Sequence, residues 1–518
     1  MPFFVFYLLK FRVGNAMSQK ITNPRIGFIS FFFIITYISV LSFGQSATAL
    51  NSPSNMTESH NHHDENRYIE PREDVNLPYE PHQISGTISL ERLTTLPDDS
   101  NPEHLTNFHS KLLFFQNDEP MISPSNGSIW LSDGTIANTT LITDTENFAN
   151  HLGFHIANEQ FVYVDGSGLW SSDGVGYNLN TTFISYYVPE LLPINQSLFL
   201  IFDDGFRLYD SSLWQTDTLL EDATLLQDNS YGGPHLRGLT EFNEIAFYFE
   251  YTLSGTDQDD NLRKSDGTVA GTSIVASFPT RNLREDLPMM PYKNALYFLL
   301  ENKEKSRIEL WRSDGTEGGT TFVFTLLENC DFASYLNFRQ VNNHLFFHLL
   351  SCNGTHQLWT SQGSSDNTTL LGTFNNIAGL QGGGTGLFFN ADDGVNGEEL
   401  WFTDGTIAGT RLVKDINPGP SSSSPSSMYF FPGTGYLYFA ADDGVNGSEL
   451  WQSDGSNANT ALLADINPGV GDSTSASFVY IRPNLYFSAN HADFGREVWK
   501  MFLPANEELF MPLVFEKQ

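Results

Sequence analysis

The stretch ELWFTDGTIAGT at residues 399–410, together with its second copy ELWRSDGTEGGT at 309–320, decides the fold. Weaker copies recur along the chain: SIWLSDGT (128–135), GLWSSDGV (168–175), SLWQTDT (212–218), NLRKSDGT (261–268), QLWTSQGS (357–364), ELWQSDGS (449–456) and EVWKMF (497–502). The chain has eight tryptophans and each occupies the third position of a copy: Trp130, Trp170, Trp214, Trp311, Trp359, Trp401, Trp451 and Trp499.

Arg263 fills the ninth position, and the slots from 130 to 499 give an average period of about 46 residues. That period matches a four-stranded propeller blade far better than a helical solenoid.

Each repeat contains four predicted strands, which we call A to D. Strand A is an aromatic run such as 387–389, strand B carries the tryptophan, strand C follows the Asp-Gly turn as at 411–415, and strand D is a looser stretch before the next aromatic run. The Asp carboxylate is expected to accept turn amides, the Gly to adopt positive φ, and the following Thr to restart the strand. The tryptophan is expected to act as a wedge between neighbouring blades, so the repeated Asp and Trp are interpreted as architecture and not as catalytic groups.

Counting gives nine A–B pairs, and 82–94 can supply an initial C strand. An N-terminal C–D piece and a C-terminal A–B piece would then share one blade and remove the exposed sheet edges. The sequence therefore predicts an all-β fold, a single propeller of eight or nine four-stranded blades over 84–518.

The spelling at 399–419 and, more loosely, at 449–469 resembles the ELWxxDGT-repeat family of secreted and surface proteins. The resemblance implies an extracytoplasmic propeller and carries no established activity or catalytic residue. The stretches 391–401 and 441–451 are also similar to the docking motif of quinoprotein-type propellers, with Asn396 and Asn446 in place of its Thr. That family includes envelope assembly factors, and this chain lacks the adjacent cysteine pair often found at the cofactor of its dehydrogenases.

Charge excludes several classes of partner. The 518-residue chain has 26 Lys and Arg against 61 Asp and Glu, a formal net charge of −35. Such a surface disfavours binding to nucleic acid or to an anionic membrane.

The N-terminal segment predicts export. Lys20 and Arg25 precede an uncharged apolar run at 26–43 and a small-residue stretch at 45–49, which together are typical of a secretory signal cleaved after Ala49. The alternative is an uncleaved anchor, in which case this segment alone would contact a membrane. Residues 50–83 are polar and aperiodic and are predicted to be a disordered linker. We expect a secreted or cell-surface protein, with the periplasm as a further possibility.

Two acidic A–B turns are candidate calcium sites, because carboxylate and amide oxygens suit hard cations. Their candidate ligands are Asp392, Asp393, Asn396 and Glu398 in one turn and Asp442, Asp443 and Asn446 in the other. A third acidic loop lies at 257–261, and the alternative for all three is simple turn chemistry. The two cysteines, Cys330 and Cys352, fall in loops predicted to emerge on the same face, which allows a disulfide outside the cytoplasm.

Common catalytic signatures are absent from the sequence, including HExxH, Gly-x-Ser-x-Gly and a phosphate-binding loop. No catalytic residue and no cofactor other than calcium is predicted. The preferred hypothesis is therefore a non-enzymatic binding or adhesion protein whose ligand, an extracellular protein or glycan, lies on one ring face. The alternatives are an exported propeller enzyme acting on carbohydrate and an envelope assembly scaffold.

Overall fold

A computed structural model describes the chain at 89–94, 101–117, 125–148, 152–165, 168–180, 187–203, 211–220, 223–229, 234–251, 260–279, 281–282, 289–302, 304–330 and 334–503. These residues all belong to a compact unit spanning 73–518. The predicted export signal and linker lie outside the described residues. Within the described part, no helix is long and apolar enough to span a bilayer.

The described strands form nine antiparallel sheets, the blades of a propeller. The first strand, β1 (Ser89–Arg92), belongs to blade 9. Blade 1 contains β2 (Asn101–Phe108), β3 (Lys111–Asn117), β4 (Ser125–Ser132) and β5 (Thr139–Phe148); blade 2, β6 (His155–Ala157), β7 (Gln160–Asp165), β8 (Gly168–Ser172) and β9 (Tyr177–Asn180); blade 3, β10 (Tyr187–Ile194), β11 (Ser197–Asp203), β12 (Ser211–Asp217) and β13 (Ala223–Asp228); blade 4, β14 (His235–Phe242), β15 (Ile245–Tyr251), β16 (Asp260–Ser265) and β17 (Ser273–Phe278).

Blade 5 contains β18 (Arg281–Asn282), β19 (Met290–Tyr292), β20 (Ala295–Asn302), β21 (Arg307–Ser313) and β22 (Thr321–Glu328); blade 6, β23 (Ser334–Val341), β24 (His344–Leu350), β25 (His356–Ser361) and β26 (Thr368–Phe374); blade 7, β27 (Asn376–Gly383), β28 (Gly386–Asp392), β29 (Glu398–Thr403) and β30 (Arg411–Lys414); blade 8, β31 (Ser426–Phe431), β32 (Tyr436–Asp442), β33 (Ser448–Ser453) and β34 (Ala461–Ala464); blade 9, β35 (Ala476–Ile481), β36 (Asn484–His491), β37 (Gly495–Phe502) and β1. Two single-turn 3₁₀ helices, Ile136–Asn138 and Ser365–Asn367, lie in B–C turns.

The predicted propeller is confirmed, with nine blades. Each blade runs D-A-B-C in sheet order, and the D strands lie against one another in eight of the nine pairs of neighbouring blades, which makes D the innermost strand. Strand A is buried along almost its whole length, as in β20, because neighbouring blades cover both of its faces. In blade 5 the D strand is split, and both β18 and β19 pair with β20.

The ring closes in blade 9, where β1 pairs antiparallel with β37 from Ser89 opposite Phe502 to Arg92 opposite Trp499. The sequence predicted that each terminus would give two strands to this blade. The structure instead takes strands D, A and B from the C-terminus and only strand C from the N-terminus, because the following D strand, β2, begins blade 1.

Nine apolar clusters lie between consecutive blades of the described ring. Trp401, for example, packs on the cluster between blades 6 and 7, with its ring 5.1 Å from that of Phe374. The cluster between blades 3 and 4 has no tryptophan, since Arg263 occupies that position. The tryptophans that pack on the other eight clusters are Trp130, Trp170, Trp214, Trp311, Trp359, Trp401, Trp451 and Trp499.

The Asp-Gly turns join strands B and C. Asp404 Oδ1 accepts from the main-chain N and Oγ1 of Thr406, at 2.9 and 2.7 Å, and Gly405 adopts φ 88°. Thr406 does not restart the strand as predicted, because its side chain caps the turn and strand C begins only at Arg411. A second threonine, Thr410, bonds Thr403 at the end of strand B over 2.8 Å and closes the turn.

Candidate functional site

The propeller has two faces with different loops. The A–B face, as we call it, carries the turns between strands A and B and the C–D connections between blades. The opposite B–C face carries the Asp-Gly turns and the short D–A turns. Both acidic turns and both cysteines lie toward the A–B face. D strands begin and A strands end on this side of the ring, and these residues are found at those strand ends.

The first acidic turn uses its carboxylates internally. Asp393 Oδ1 accepts from the amides of Val395 and Asn396 at 2.8 and 2.9 Å, and its Oδ2 accepts from the Asn396 side chain at 2.9 Å. Asp392 Oδ1 accepts from the amide of Gly394 at 2.7 Å. Burial opposes the effect, but these bonds lower the pKa of Asp393.

The second acidic turn repeats this geometry. Asp443 Oδ1 accepts from Val445 and Asn446 and Asp442 Oδ1 from Gly444, while Asp443 Oδ2 accepts from the Asn446 side chain at 2.9 Å. Turn chemistry therefore accounts for both Asp pairs.

Glu398 faces a different neighbour, since its Oε1 accepts from the Asn376 side chain at 2.6 Å. Among the described residues, no group of three or more His, Cys, Asp or Glu side chains is arranged to hold a metal ion. Most of the third acidic loop, 257–261, lies outside the described residues. Calcium binding by these turns stays a prediction.

Cys330 and Cys352 form a disulfide with their Cα atoms 5.5 Å apart. Cys330 follows the C strand of blade 5, and Cys352 lies in the A–B turn of blade 6. The bond ties the connection leaving one blade to the turn of the next.

A buried carboxylate that sequence reasoning did not single out precedes each Leu-Trp pair in blades 7 and 8. Glu399 is fully buried and accepts from the amides of Ile416, Asn417 and Ser423, at 2.9, 3.2 and 3.2 Å, and from Ser423 Oγ at 2.6 Å. The carboxylate thereby fastens the C–D connection to strand B. The repeated Glu-Leu-Trp spelling was the available signal.

Glu449 does the same in blade 8, accepting from the amides of Ile466, Asn467 and Ser473 at 2.7, 3.3 and 3.1 Å. In blade 9 the equivalent Glu497 accepts from Thr94 Oγ1 at 2.5 Å. Thr94 follows strand C of blade 9, β1, as Ile416 follows strand C of blade 7, so Glu497 also fastens a C–D connection to strand B.

A cavity of about 520 Å³ lies between the D strands of blades 9 and 1, at the seam where the ring closes and toward the A–B face. Its size is that of a small-molecule site. The described residues that line it are Asn101, Glu103, His104, Leu105, Ala476, Ser477, Phe478, Ser488 and Arg496. We call it the seam cavity.

The seam cavity holds one guanidinium and one carboxyl group. Arg496 Nη2 donates to Thr474 O at 3.1 Å and to Ser488 Oγ at 3.0 Å, which fixes the plane of the guanidinium. Burial raises the pKa of Glu103, an effect that Asn117 and Arg496 only partly offset. Burial also lowers the pKa of His104, so this imidazole is neutral near pH 7.

No protein-family profile and no curated protein matches this sequence. Among solved structures the chain is similar to an oligogalacturonate lyase in complex with manganese, at 13% identity and TM-score 0.37 over 82% of this chain and 96% of that one. It is also similar to a prolyl endopeptidase (12% identity, TM-score 0.40, 77% and 54% of the two chains) and to oligopeptidase B from Leishmania major (9%, 0.39, 70% and 53%). The chain spans about half the length of these two peptidases, and likeness at this level carries no argument about activity.

Proposed function

We propose that this chain is an exported β-propeller that binds an extracellular protein or glycan through its A–B face. The seam cavity is the observation that carries the proposal. It brings a guanidinium and a carboxyl group together at a place where neither side chain is needed to complete a repeat, since equivalent positions in other blades hold different residues.

Binding is favoured over carbohydrate cleavage by the composition of the cavity. Among its described lining residues, Glu103 is the sole carboxylate, whereas glycoside hydrolysis generally uses a pair. The export half of the proposal rests on the N-terminal sequence and on the resemblance to ELWxxDGT-repeat proteins.

The test uses the full-length chain expressed in an exporting host. We expect the protein in the extracytoplasmic fraction, and we expect it to bind a subset of an array of extracellular glycans and matrix proteins. Arg496→Gln, which keeps an N–H donor, should reduce array binding, whereas Lys111→Gln, an exposed cation at the start of strand β3, should not. Retention in the cytoplasm, or array binding that is absent in the folded wild type, would overturn the proposal.

A further inference from the structure

Six of the described D strands share a bulge that leaves two residues outside the ladder. In the described blades the D–A register shifts at Glu103/Thr106, Tyr187/Glu190, Arg237/Thr240, Ala378/Gln381, Ser426/Tyr429 and Ala476/Val479. Several of the first bulged residues have positive φ: His104, Gly238, Gly379, Ser427 and Ser477. Because a bulge interrupts pairing and re-aims the main chain, these positions can present amides to groups outside their own sheet.

Blade 4 shows what such a bulge binds. Its bulge amides, those of Gly238 and Leu239, donate to Glu190 Oε1 and Oε2 at 2.8 and 2.6 Å. Glu190 comes from β10, the D strand of the preceding blade. Two consecutive amides thus hold both oxygens of one carboxylate, as in a main-chain anion nest.

Blade 1 has the same bulge as blade 4, but the neighbouring blade 9 has no carboxylate at the position of Glu190. The blade 1 bulge is His104 and Leu105, and the position on the preceding blade that corresponds to Glu190 is Val479. Val479 packs on the apolar cluster between blades 9 and 1. The seam cavity lies here and is lined by both bulge residues, and among the described residues no side-chain carboxylate accepts a hydrogen bond from their amides.

The opposite wall of the cavity supplies a cation. Arg496 uses Nη2 for Thr474 and Ser488, and its Nε and Nη1 have no hydrogen-bond partner among the described residues. A guanidinium held by one nitrogen retains donors for a planar carboxylate, the group that it recognises best.

We propose that the seam cavity binds a carboxylate group of the extracellular ligand between the blade 1 bulge and Arg496, and that a small organic acid can occupy the same place. The bound carboxylate takes the place that Glu190 holds in blade 4, and the rest of the ligand fills the cavity. Glu103 lies in the same cavity, and when its carboxyl group is ionised it repels the carboxylate of the ligand. This inference names the ligand class of the site that carries the proposed function, and in that sense rests on it.

Propionate, which reproduces the end of a glutamate side chain, is the probe, and propionamide is its neutral control. Titration calorimetry of the full-length chain should show binding of propionate and none of propionamide. Arg496→Gln should weaken propionate about tenfold, a loss of about 1.4 kcal/mol. Glu103→Gln should strengthen it, a gain that a misfolded protein would not produce, and Lys111→Gln should leave it unchanged.

A substitution that copies blade 4 into the seam gives a second test. Val479→Glu should abolish propionate binding, because its own carboxylate would occupy the blade 1 bulge, whereas Val479→Gln should leave more of it. Equal binding of propionate and propionamide, or binding that is indifferent to Arg496→Gln, would overturn the inference.

The two proposals fail separately. Array binding without propionate binding would refute the carboxylate ligand and leave the proposed function standing. Propionate binding without any array ligand would support the cavity and refute a macromolecular partner.

Discussion

Blades 7 and 8 and blade 5 place the same buried carboxylate before Leu-Trp but surround it with different donors. Glu399 and Glu449 are held by amides of the C–D connection, whereas Glu309 accepts from Arg281 Nε and Arg307 Nε at 2.9 and 2.7 Å. Where the connection wraps back, it supplies neutral donors. In blade 5, cationic side chains replace it.

The two sets of hydrogen-bond donors shift the pKa of the buried carboxyl group in opposite directions. Burial raises the pKa of Glu399 and of Glu449, and the hydrogen bonds offset this only in part. Burial acts the same way on Glu309, but bonds from Arg281, Trp311, Asn302 and Arg307 outweigh it and lower its pKa. A repeat can therefore keep its carboxylate and still change how that carboxylate responds to acid.

The largest effect on stability is expected from removing the buried carboxylate that holds the C–D connection of blade 7. Glu399→Ala would leave three amides and a hydroxyl without their acceptor in a buried site, and we expect it to lower the free energy of unfolding by about 4 kcal/mol. Chemical denaturation followed by tryptophan fluorescence measures it. Val395→Ala, at an exposed turn tip in the same blade, should change little. A loss as small as that of the control would show that the C–D connection holds itself.

The arginine-held carboxylate should cost less to remove. Arg281 and Arg307 are about a quarter exposed, so Glu309→Gln leaves their charges partly hydrated, and we expect a loss of about 2 kcal/mol at neutral pH.

The pH dependence should separate the two sites. Glu309 stabilises the fold above its ordinary pKa of 4.5 and loses that contribution as pH falls through its lower folded pKa, so the deficit of Glu309→Gln should shrink on acidification. Glu399 contributes most below 4.5 and loses stability as pH rises through its higher folded pKa, so the deficit of Glu399→Gln should grow on acidification. The same trend in both variants would contradict the comparison.

Blade 4 extends the comparison, since Arg263 replaces tryptophan and its Nη1 bonds Glu250 Oε2 at 3.0 Å. Glu250 occupies the position of Leu300 in blade 5. We expect Arg263→Trp and Glu250→Leu to destabilise singly and the double variant to recover about 1 kcal/mol or more. If the losses of unfolding free energy in the two single variants simply add in the double variant, Arg263 and Glu250 do not interact energetically.

The B–C turns should contribute less each. Asp404→Ala removes the acceptor for both donors of Thr406, and we expect a loss of about 1 kcal/mol. Thermal unfolding measures it, with the exposed Ile407→Ala as the matched control.

The smallest effect concerns the acidic A–B turns of blades 7 and 8. Because Asp393 and Asp443 bond their own loop amides, we expect the melting temperature to be the same with calcium and with chelator. A rise in the melting temperature with calcium would instead confirm the predicted cation sites in these turns, since a ligand of the native state must stabilise it.

The features that could be predicted from the sequence are those encoded by short motifs of neighbouring residues. The tryptophans and Asp-Gly turns act within a few residues of where they stand, so their spacing was enough to predict the blades. The buried Glu399 was missed because a glutamate in a strand ordinarily faces water, and its donors lie 17 to 24 residues further on. The seam cavity was out of reach for the same reason, because Glu103 and Arg496 meet only when the ring closes.

The closing strand β1 also has a consequence for biosynthesis. Its partner β37 lies at the other end of the described residues, so β1 must wait until β37 has been made before it can pair. Until then β1 has no pairing partner and the last blade made exposes its apolar face, and both invite association with other chains. Loss of β1 would leave blade 9 with three strands, whereas loss of β35 to β37 would leave eight blades and an unpaired β1. We expect both products to be degraded faster than the full-length chain.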